Sequence, residues 1–423
     1  MTKLYKYSGA GNLFLVVDAR EGGADPFRDA QTISSLCRDA RTDGLMILSE
    51  SDSADFRMEF YNPDGSHGMM CGNGGRCIVA FAGDLGVLKS RSCTFEAPDA
   101  VHNAEILSES EGVSTIKLQM RKPSAPERFH DGFFIDTGAR HFVKIVADTE
   151  SVDVSGEGPV VRHRPEFAPE GVNVDFVQIL PDGSLRVRTF EKGVEAETPA
   201  CGTGIVAAAA VALSQGLVRG PIVSLRARSD TLTVDLSSRE PCLTGPATQV
   251  RIDSTNNEAR RLWASLPDRT VIVSDRQSSG RGQGDHVWYS TDGSNLTFSI
   301  VLRFPGGQME ASSLKALMDS VSLGVCSYLE GHGISPAIKY PNDILVDGKK
   351  ICGILIETFI EDKTILGAIV GVGFDLNETI WPEYLPEAVS LRQLTGRTYE
   401  RGAELDSLLA HIDRSLEKLR NGK

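Results

Sequence analysis

Long hydrophobic runs are scarce in this chain. The longest uninterrupted one, Ile205 to Leu213, is too short to cross a bilayer. The start, MTKLYKYSGAGNLFLVV, lacks the layout of a secretory signal, so a cytoplasmic protein is expected. Cysteine has no metal or disulfide pattern: the eight residues are scattered and none forms CxxC, so free thiols in a reducing compartment are expected. An excess of basic charge is absent too. Lys plus Arg number 44 against 57 Asp plus Glu, a formal net charge of −13, which disfavours the whole chain as a nucleic-acid or anionic-membrane binder. What is present is ordinary globular material, 41% apolar and 24% charged. At about 150 residues per domain, the 423 residues make two to three domains, each able to bury its own core.

The chain contains an internal echo. Cys71-Gly72-Asn73-Gly74 recurs as Cys201-Gly202-Thr203-Gly204, 130 positions on (71 to 201). Apolar segments follow both, Ile78 to Ala82 and Ala208 to Ala212, and glycines follow those, Gly86 and Gly216. Each segment reads as a short helix, apolar on every face and therefore interior, that begins at a glycine-rich turn and ends at a glycine. Two such helices predict two similar lobes, each wrapping strands round a central helix. Strands Val177–Leu180 and Leu185–Phe190 flank a Pro181-Asp182-Gly183-Ser184 turn.

Near Arg251 the character changes. The reading there is strand, helix, a glycine-rich loop (Ser279–Gly284), a strand (Leu296–Phe304) and a helix (Ser312–Leu329). A meander follows, with turns at Asp347-Gly348 and Glu361-Asp362-Lys363, then a last helix presenting Leu405, Leu408, Leu409, Ile412, Leu416 and Leu419 on one face. No low-complexity linker separates the halves, so the boundary falls near residues 247–253.

One thiol at each of two matched helix starts has a chemical meaning. A helix start carries partial positive charge and free N–H groups, and should lower a cysteine pKa from its usual value of about 8.5. A single CGxG is commonly a flexible turn. A matched pair points to an acid and a base facing one carbon from opposite sides, with backbone N–H groups holding the charge that develops.

These residues carry a resemblance. Phe60-Tyr61-Asn62-Pro63-Asp64-Gly65-Ser66, then Cys71-Gly72-Asn73-Gly74-Gly75-Arg76-Cys77, resemble the first signature of diaminopimelate epimerase. Thr198-Pro199-Ala200-Cys201-Gly202-Thr203-Gly204 resembles the second, Gly9-Ala10-Gly11-Asn12 the N-terminal element, and Gly171-Val172-Asn173 an asparagine turn. The resemblance covers about residues 1–250. It implies a cofactor-independent epimerase with Cys71 and Cys201 as the base and acid. It implies Asn12, Asn62, Gly72, Asn73, Asn173, Glu191, Lys192, Gly202 and Thr203 as substrate contacts. Side-chain amides suit that task, since they bind carboxylate and ammonium without titrating.

Leu13, Ala139, Arg140 and Lys192 depart from the family pattern. Lys192 keeps a charge but loses the bidentate fork of arginine, and Arg140 is the candidate to restore it for a distal carboxylate. A racemase of another amino acid is the alternative.

In the second half, Gly280-Arg281-Gly282-Gln283-Gly284 is neither a Walker motif nor a dinucleotide fingerprint. Its companions sharpen it: Gln277, Trp288, Lys339-Tyr340-Pro341-Asn342-Asp343, and Lys350-Ile351-Cys352-Gly353. Such a set suits ATP-dependent activation of a carboxylate. Arg281 and Lys350 can neutralise an α-phosphate, Asn342 and Asp343 can hold Mg²⁺, and Trp288 offers a flat face to adenine.

The ordered set resembles the catalytic domain of biotin–protein ligase, with Ser254-Thr255-Asn256 at its opening and Gly371-Val372-Gly373-Phe374-Asp375 near its end. The resemblance implies Lys350 as the catalytic residue and Asp343 as the metal ligand. It implies Ser254, Thr255, Asn256, Gln277, Gly280, Arg281, Gly282, Trp288, Asn342 and Gly353 as contacts to biotin and ATP, and a biotin carboxyl carrier protein as partner. Gln283 stands where many ligases have Arg, and Asp375 where Asn is usual, which would put a negative charge near the nucleotide. The family's small C-terminal β-barrel and its helix-turn-helix are not expected here. A module that binds biotin or adenylate without transferring it is the alternative.

The expected class is therefore α+β. Residues 1–122 form the first epimerase lobe, closed by a strand near 241–250, residues 123–240 the second lobe, and residues 251–423 a ligase-like domain with a mainly antiparallel sheet. No cofactor is expected for the first half. ATP, Mg²⁺ and biotin are expected for the second, and a homodimer is compatible with both.

Overall fold

The computed structural model describes residues 1–305 and 309–420. Its architecture is α+β throughout. The first lobe closes on itself. Strands Thr2–Gly9, Asn12–Asp18, Leu45–Ser49, Phe56–Tyr61, Ser92–Glu96, Val101–Ser110 and Val113–Gln119 pair in that order. The last pairs Cys242–Gln249, which returns to the first. The ring surrounds helix Gly72–Asp84, whose residues from Gly72 to Ala82 are all buried.

The second lobe repeats the plan. Strands Gly132–Asp136, Arg140–Ile145, Asn173–Ile179, Leu185–Glu191, Ile222–Arg226, Thr231–Asp235 and Cys242–Gln249 pair in the same succession of senses as the seven strands of the first lobe. They enclose helix Gly202–Ser214. The echo is thus structural along the whole lobe: Ser92–Glu96 answers Ile222–Arg226, and Gly72–Asp84 answers Gly202–Ser214. The Ala-rich composition of Gly202–Ser214 favours helix and lets strands approach closely. Past each helix stands a glycine with φ of +67°, Gly86 and Gly216, the left-handed conformation that ends a helix at least cost.

The C-terminal half is a sheet joined antiparallel throughout: Thr270–Val273, Leu296–Arg303, Thr364–Phe374, Lys349–Glu361, Asp343–Val346 and Ala337–Lys339. Helices Leu314–Gly331 and Arg401–Arg420 pack together where a Cβ on Gly324 would lie 2.6 Å from the Cα of Ile412. The local order differs from the sequence reading at one point. Helix Thr255–Arg261 comes first and strand Thr270–Val273 follows it, while Ile252 makes only an isolated bridge to Gln277.

The halves share a seam. Thr2–Leu4 pairs in parallel with Thr270–Ile272, while the far end of the same strand pairs Thr248 and Gln249. This strand is therefore nearly all buried. Beside it the Lys3 ammonium lies 2.9 Å from Asp18 and also pairs Asp406 of the last helix. No described helix is long and apolar enough to cross a membrane.

Candidate active sites

The two helix starts that carry the cysteines are brought together. Cys71 and Cys201 are the N-cap residues, in nearly identical extended conformations (φ −105°, ψ 127° and φ −106°, ψ 109°). The helix starts abut, since a Cβ placed on Gly202 would lie 3.2 Å from the Cα of Gly72. A side chain there would be tight, so glycine eases that approach.

Asn73 stitches the lobes. Its Nδ2 donates to Asn12 Oδ1 at 2.5 Å and to the carbonyl of Ala200, the residue before Cys201, at 2.8 Å. Asn173 is buried, accepting from the Lys192 N–H at 2.8 Å and donating to the Arg140 carbonyl at 3.3 Å. Asn62 sits in its turn, donating to Ser66 Oγ at 3.0 Å.

Burial opposes the helix starts. It pushes the Cys71 thiol up, against the N–H groups of Gly74 and Asn73. It pushes the Cys201 thiol well above its usual range, with Glu191 and Asp175 adding to the effect. The expected lowering of both thiols is thus reversed, because loss of hydration outweighs a few backbone dipoles. Burial also raises the Glu191 carboxyl.

Sequence reasoning missed a relay behind the second thiol. Cys201 Sγ lies 3.4 Å from Thr203 Oγ1, which lies 2.9 Å from His141 Nε2. His141 Nδ1 lies 2.7 Å from Asp175 Oδ2, and Thr189 donates to the other oxygen at 2.7 Å. His141 and Asp175 are wholly buried. The signal that could have found them is register: His141 pairs Asn173 across parallel strands, and Asp175 is the next residue on that face. Arg140 is engaged elsewhere, which corrects its proposed role at the distal carboxylate. Its guanidinium pairs Glu170, donates to the Phe167 carbonyl at 3.3 Å and stacks 5.4 Å over Phe134.

The chain belongs to the diaminopimelate epimerase family. The family's sequence model matches residues 4–124 and 133–250. The diaminopimelate epimerase of Chlorobaculum tepidum is 40% identical over 259 residues, spanning 57% of this chain and 97% of the relative. That of Aquifex aeolicus is 38% identical over 270 residues, 59% of this chain and 95% of the relative. This epimerase-family chain carries a second domain, whose residues 247–375 match the biotin/lipoate A/B protein ligase family. Among solved structures, a biotin protein ligase from Aquifex aeolicus in complex with biotin and ATP is 29% identical, with a TM-score of 0.36, covering 40% of this chain and 69% of that one.

In the ligase-family domain a cavity of about 410 Å³ gathers Ser254, Thr255, Asn256, Gln277, Arg281, Gly282, Trp288, Asn342, Asp343, Lys350 and Gly353. Gly280 stands just outside, where a Cβ would lie 2.6 Å from the Trp288 carbonyl. Gln277 Oε1 accepts from the Thr255 N–H at 2.8 Å. Arg281 donates to Asn257 at 2.8 Å and pairs Glu357 at 3.3 Å, and Lys350 lies 2.6 Å from Asp343 and 5.6 Å from the centre of the Trp288 ring. Trp288 itself lies against Gly353, where a Cβ would be 2.9 Å from its ring, and its indole N–H has no partner among the described residues.

Asp375 does not line the cavity, and burial raises its carboxyl well above the usual range. The expected negative charge beside a nucleotide is corrected accordingly: desolvation favours the neutral acid.

Proposed function

We propose that the first half interconverts LL- and meso-diaminopimelate without a cofactor. The single observation that carries the reading is the abutment of two helix starts, each capped by a cysteine, in lobes of matched topology. A thiolate at one cysteine takes the α-proton, and the thiol at the other returns one to the opposite face. The carbanionic charge is met by N–H groups of the two helix starts. Asn12, Asn62, Asn73, Asn173 and Thr203 bind the substrate's polar groups, Glu191 pairs an ammonium, and Lys192 serves the distal carboxylate. The division into lobes of residues 1–122 and 123–240, closed by 241–250, belongs to this reading.

The ligase-family domain, residues 251–423, adenylates biotin with ATP and passes it to a lysine of a biotin carboxyl carrier protein. The ligase-family match and the clustering of eleven expected residues round one cavity support this. Lys350 and Arg281 stabilise the α-phosphate during in-line attack by the biotin carboxylate. Among the described residues no cluster of three metal-ligating side chains exists. Asp343 with Asn342 fits Mg²⁺, which takes one or two protein ligands and completes its shell with phosphate and water. The metal would spread the polyphosphate charge.

Two measurements test the pair. NMR in D₂O should show α-proton exchange into LL-diaminopimelate, lost in Cys71→Ala and Cys201→Ala. Exchange only into another amino acid would overturn the substrate. A streptavidin blot of carrier protein with ATP and biotin should show labelling. Biotin binding without labelling would reduce the domain to a binding module.

A further inference from the structure

Arg76 is the largest wholly buried side chain among the described residues and has no role in the account above. It lies one turn inside the helix that Cys71 caps. Among the described residues no carboxylate pairs with it within ion-pair distance. Its Nη1 donates to the Gly72 carbonyl at 3.1 Å, its Nη2 donates to Asn73 Oδ1 at 2.7 Å, and its Nε has no partner among the described residues. Burying a cation without an ion pair is costly, so its retention calls for a use.

The matched lobes reveal the use by contrast. At the position 130 residues on, the second lobe has buried Val206. Conversely, strand register sets Phe14 and Met46 of the first lobe where the second has His141 and Asp175, and Met46 packs on Gly74 as Asp175 packs on Gly204. Equivalent helix starts therefore lie in opposite fields, a cation behind Cys71 and an anion behind Cys201. Arg76 also holds the Asn73 oxygen, which aims the Asn73 amide at Asn12 and at Ala200.

We propose that Arg76 is a positioning residue that gives the pseudo-symmetric thiol pair a fixed polarity, making Cys71 the thiol that ionises first and Cys201 the one that rests protonated. This rests on the reading of the two cysteines as base and acid. Ionisation releases the Cys71 proton to water. Cys71 thiolate then takes the α-proton while the Cys201 S–H bond breaks to protonate the other face. The pair ends as Cys71 thiol and Cys201 thiolate, and exchange with water resets it. Charged groups bearing on Cys71 are Arg76 and Glu191, and those bearing on Cys201 are Glu191 and Asp175, with His141 linked through Thr203. Asp230 and Cys77 also bear on Arg76.

The test is iodoacetamide alkylation of the full-length protein across pH, with each cysteine quantified by peptide mass spectrometry. The pH midpoint, unlike the rate, is insensitive to how open each thiol is. Cys71 should have the lower midpoint. Arg76→Met should raise it by roughly one unit while leaving that of Cys201 within a few tenths, and Arg76→Lys should restore most of it. The acid limb of kcat/KM should move with the Cys71 midpoint. A Cys201 midpoint at or below that of Cys71 in the unaltered protein, a comparison that needs no variant to fold, overturns the proposal. So does an unmoved Cys71 midpoint in Arg76→Met. Persistence of α-proton exchange in Cys71→Ala and Cys201→Ala would instead overturn the two-cysteine reading itself.

Discussion

The seam between the halves can be broken at Lys3. Its ammonium is 5% exposed, Asp18 beside it is 3% exposed, and Asp406 reaches the same nitrogen from the last helix. Lys3→Met keeps the volume and leaves two carboxylates short of a cation. Breaking a buried pair costs about 3–5 kcal/mol. Arg20 still holds Asp18 at 2.7 Å, which places the expected cost near the bottom of that range, about 3 kcal/mol. At about 2.1 cal/mol/K per residue, a 423-residue unit unfolding together has an unfolding entropy of roughly 0.9 kcal/mol/K, so its Tm should fall by about 3 °C.

The sign of the pH dependence follows from Asp18. Despite burial, Arg20 and Lys3 hold its carboxyl below the ordinary value of 3.8. The stability this contributes is complete above the unfolded-state value and is lost as pH falls through the folded one. The cost of Lys3→Met should therefore be largest at neutral pH and shrink in acid. All three tryptophans, Trp263, Trp288 and Trp381, lie in the C-terminal half. Calorimetry and urea titration read by tryptophan fluorescence and by epimerase activity should show coincident transitions, shifted together. Two separate transitions, or a shift under about 1 °C at neutral pH, would refute the argument that the shared strand makes one cooperative unit.

Asp175→Asn should lower the epimerase kcat by about 100-fold or more, within the usual span for a lost acid–base group, and leave carrier biotinylation intact; steady-state kinetics of both activities check this. Gly202→Ala should push the helix starts apart and cost the epimerase on the order of 100-fold in kcat/KM, because its Cβ would sit 3.2 Å from Gly72 Cα. Lys350→Met should abolish biotinyl-adenylate formation, a loss of roughly 100-fold or more, while α-proton exchange in the first half continues.

The order of elements was largely legible because local signals agree with the fold. Gly86 and Gly216 end the helices that the spacing predicts, and the turns at Asp347-Gly348 and Asp362-Lys363 fall where residues adopt positive φ. The ligase-family cavity was legible for the same reason: its residues lie at turns and strand starts with distinctive motifs, and all but Gly280 of those expected line it. The thiol ionisation was misjudged because the helix-start effect is local whereas desolvation depends on everything packed round the sulfur.

By itself the sequence determined the doubled plan, for an echo at 130 positions carries both central helices, their thiols and their glycine stops with it. It determined the two thiols and the lysine of the second half, because each sits in a motif. Only the tertiary structure decided what stands behind those groups. His141 and Asp175 are 34 positions apart in the chain and meet through strand register, Arg76 gains its meaning from having no carboxylate within ion-pair distance among the described residues, and Lys3 meets Asp406 across 403 positions. Such contacts depend on long-range packing, and residues of ordinary type carry no local mark of the neighbours that folding will bring.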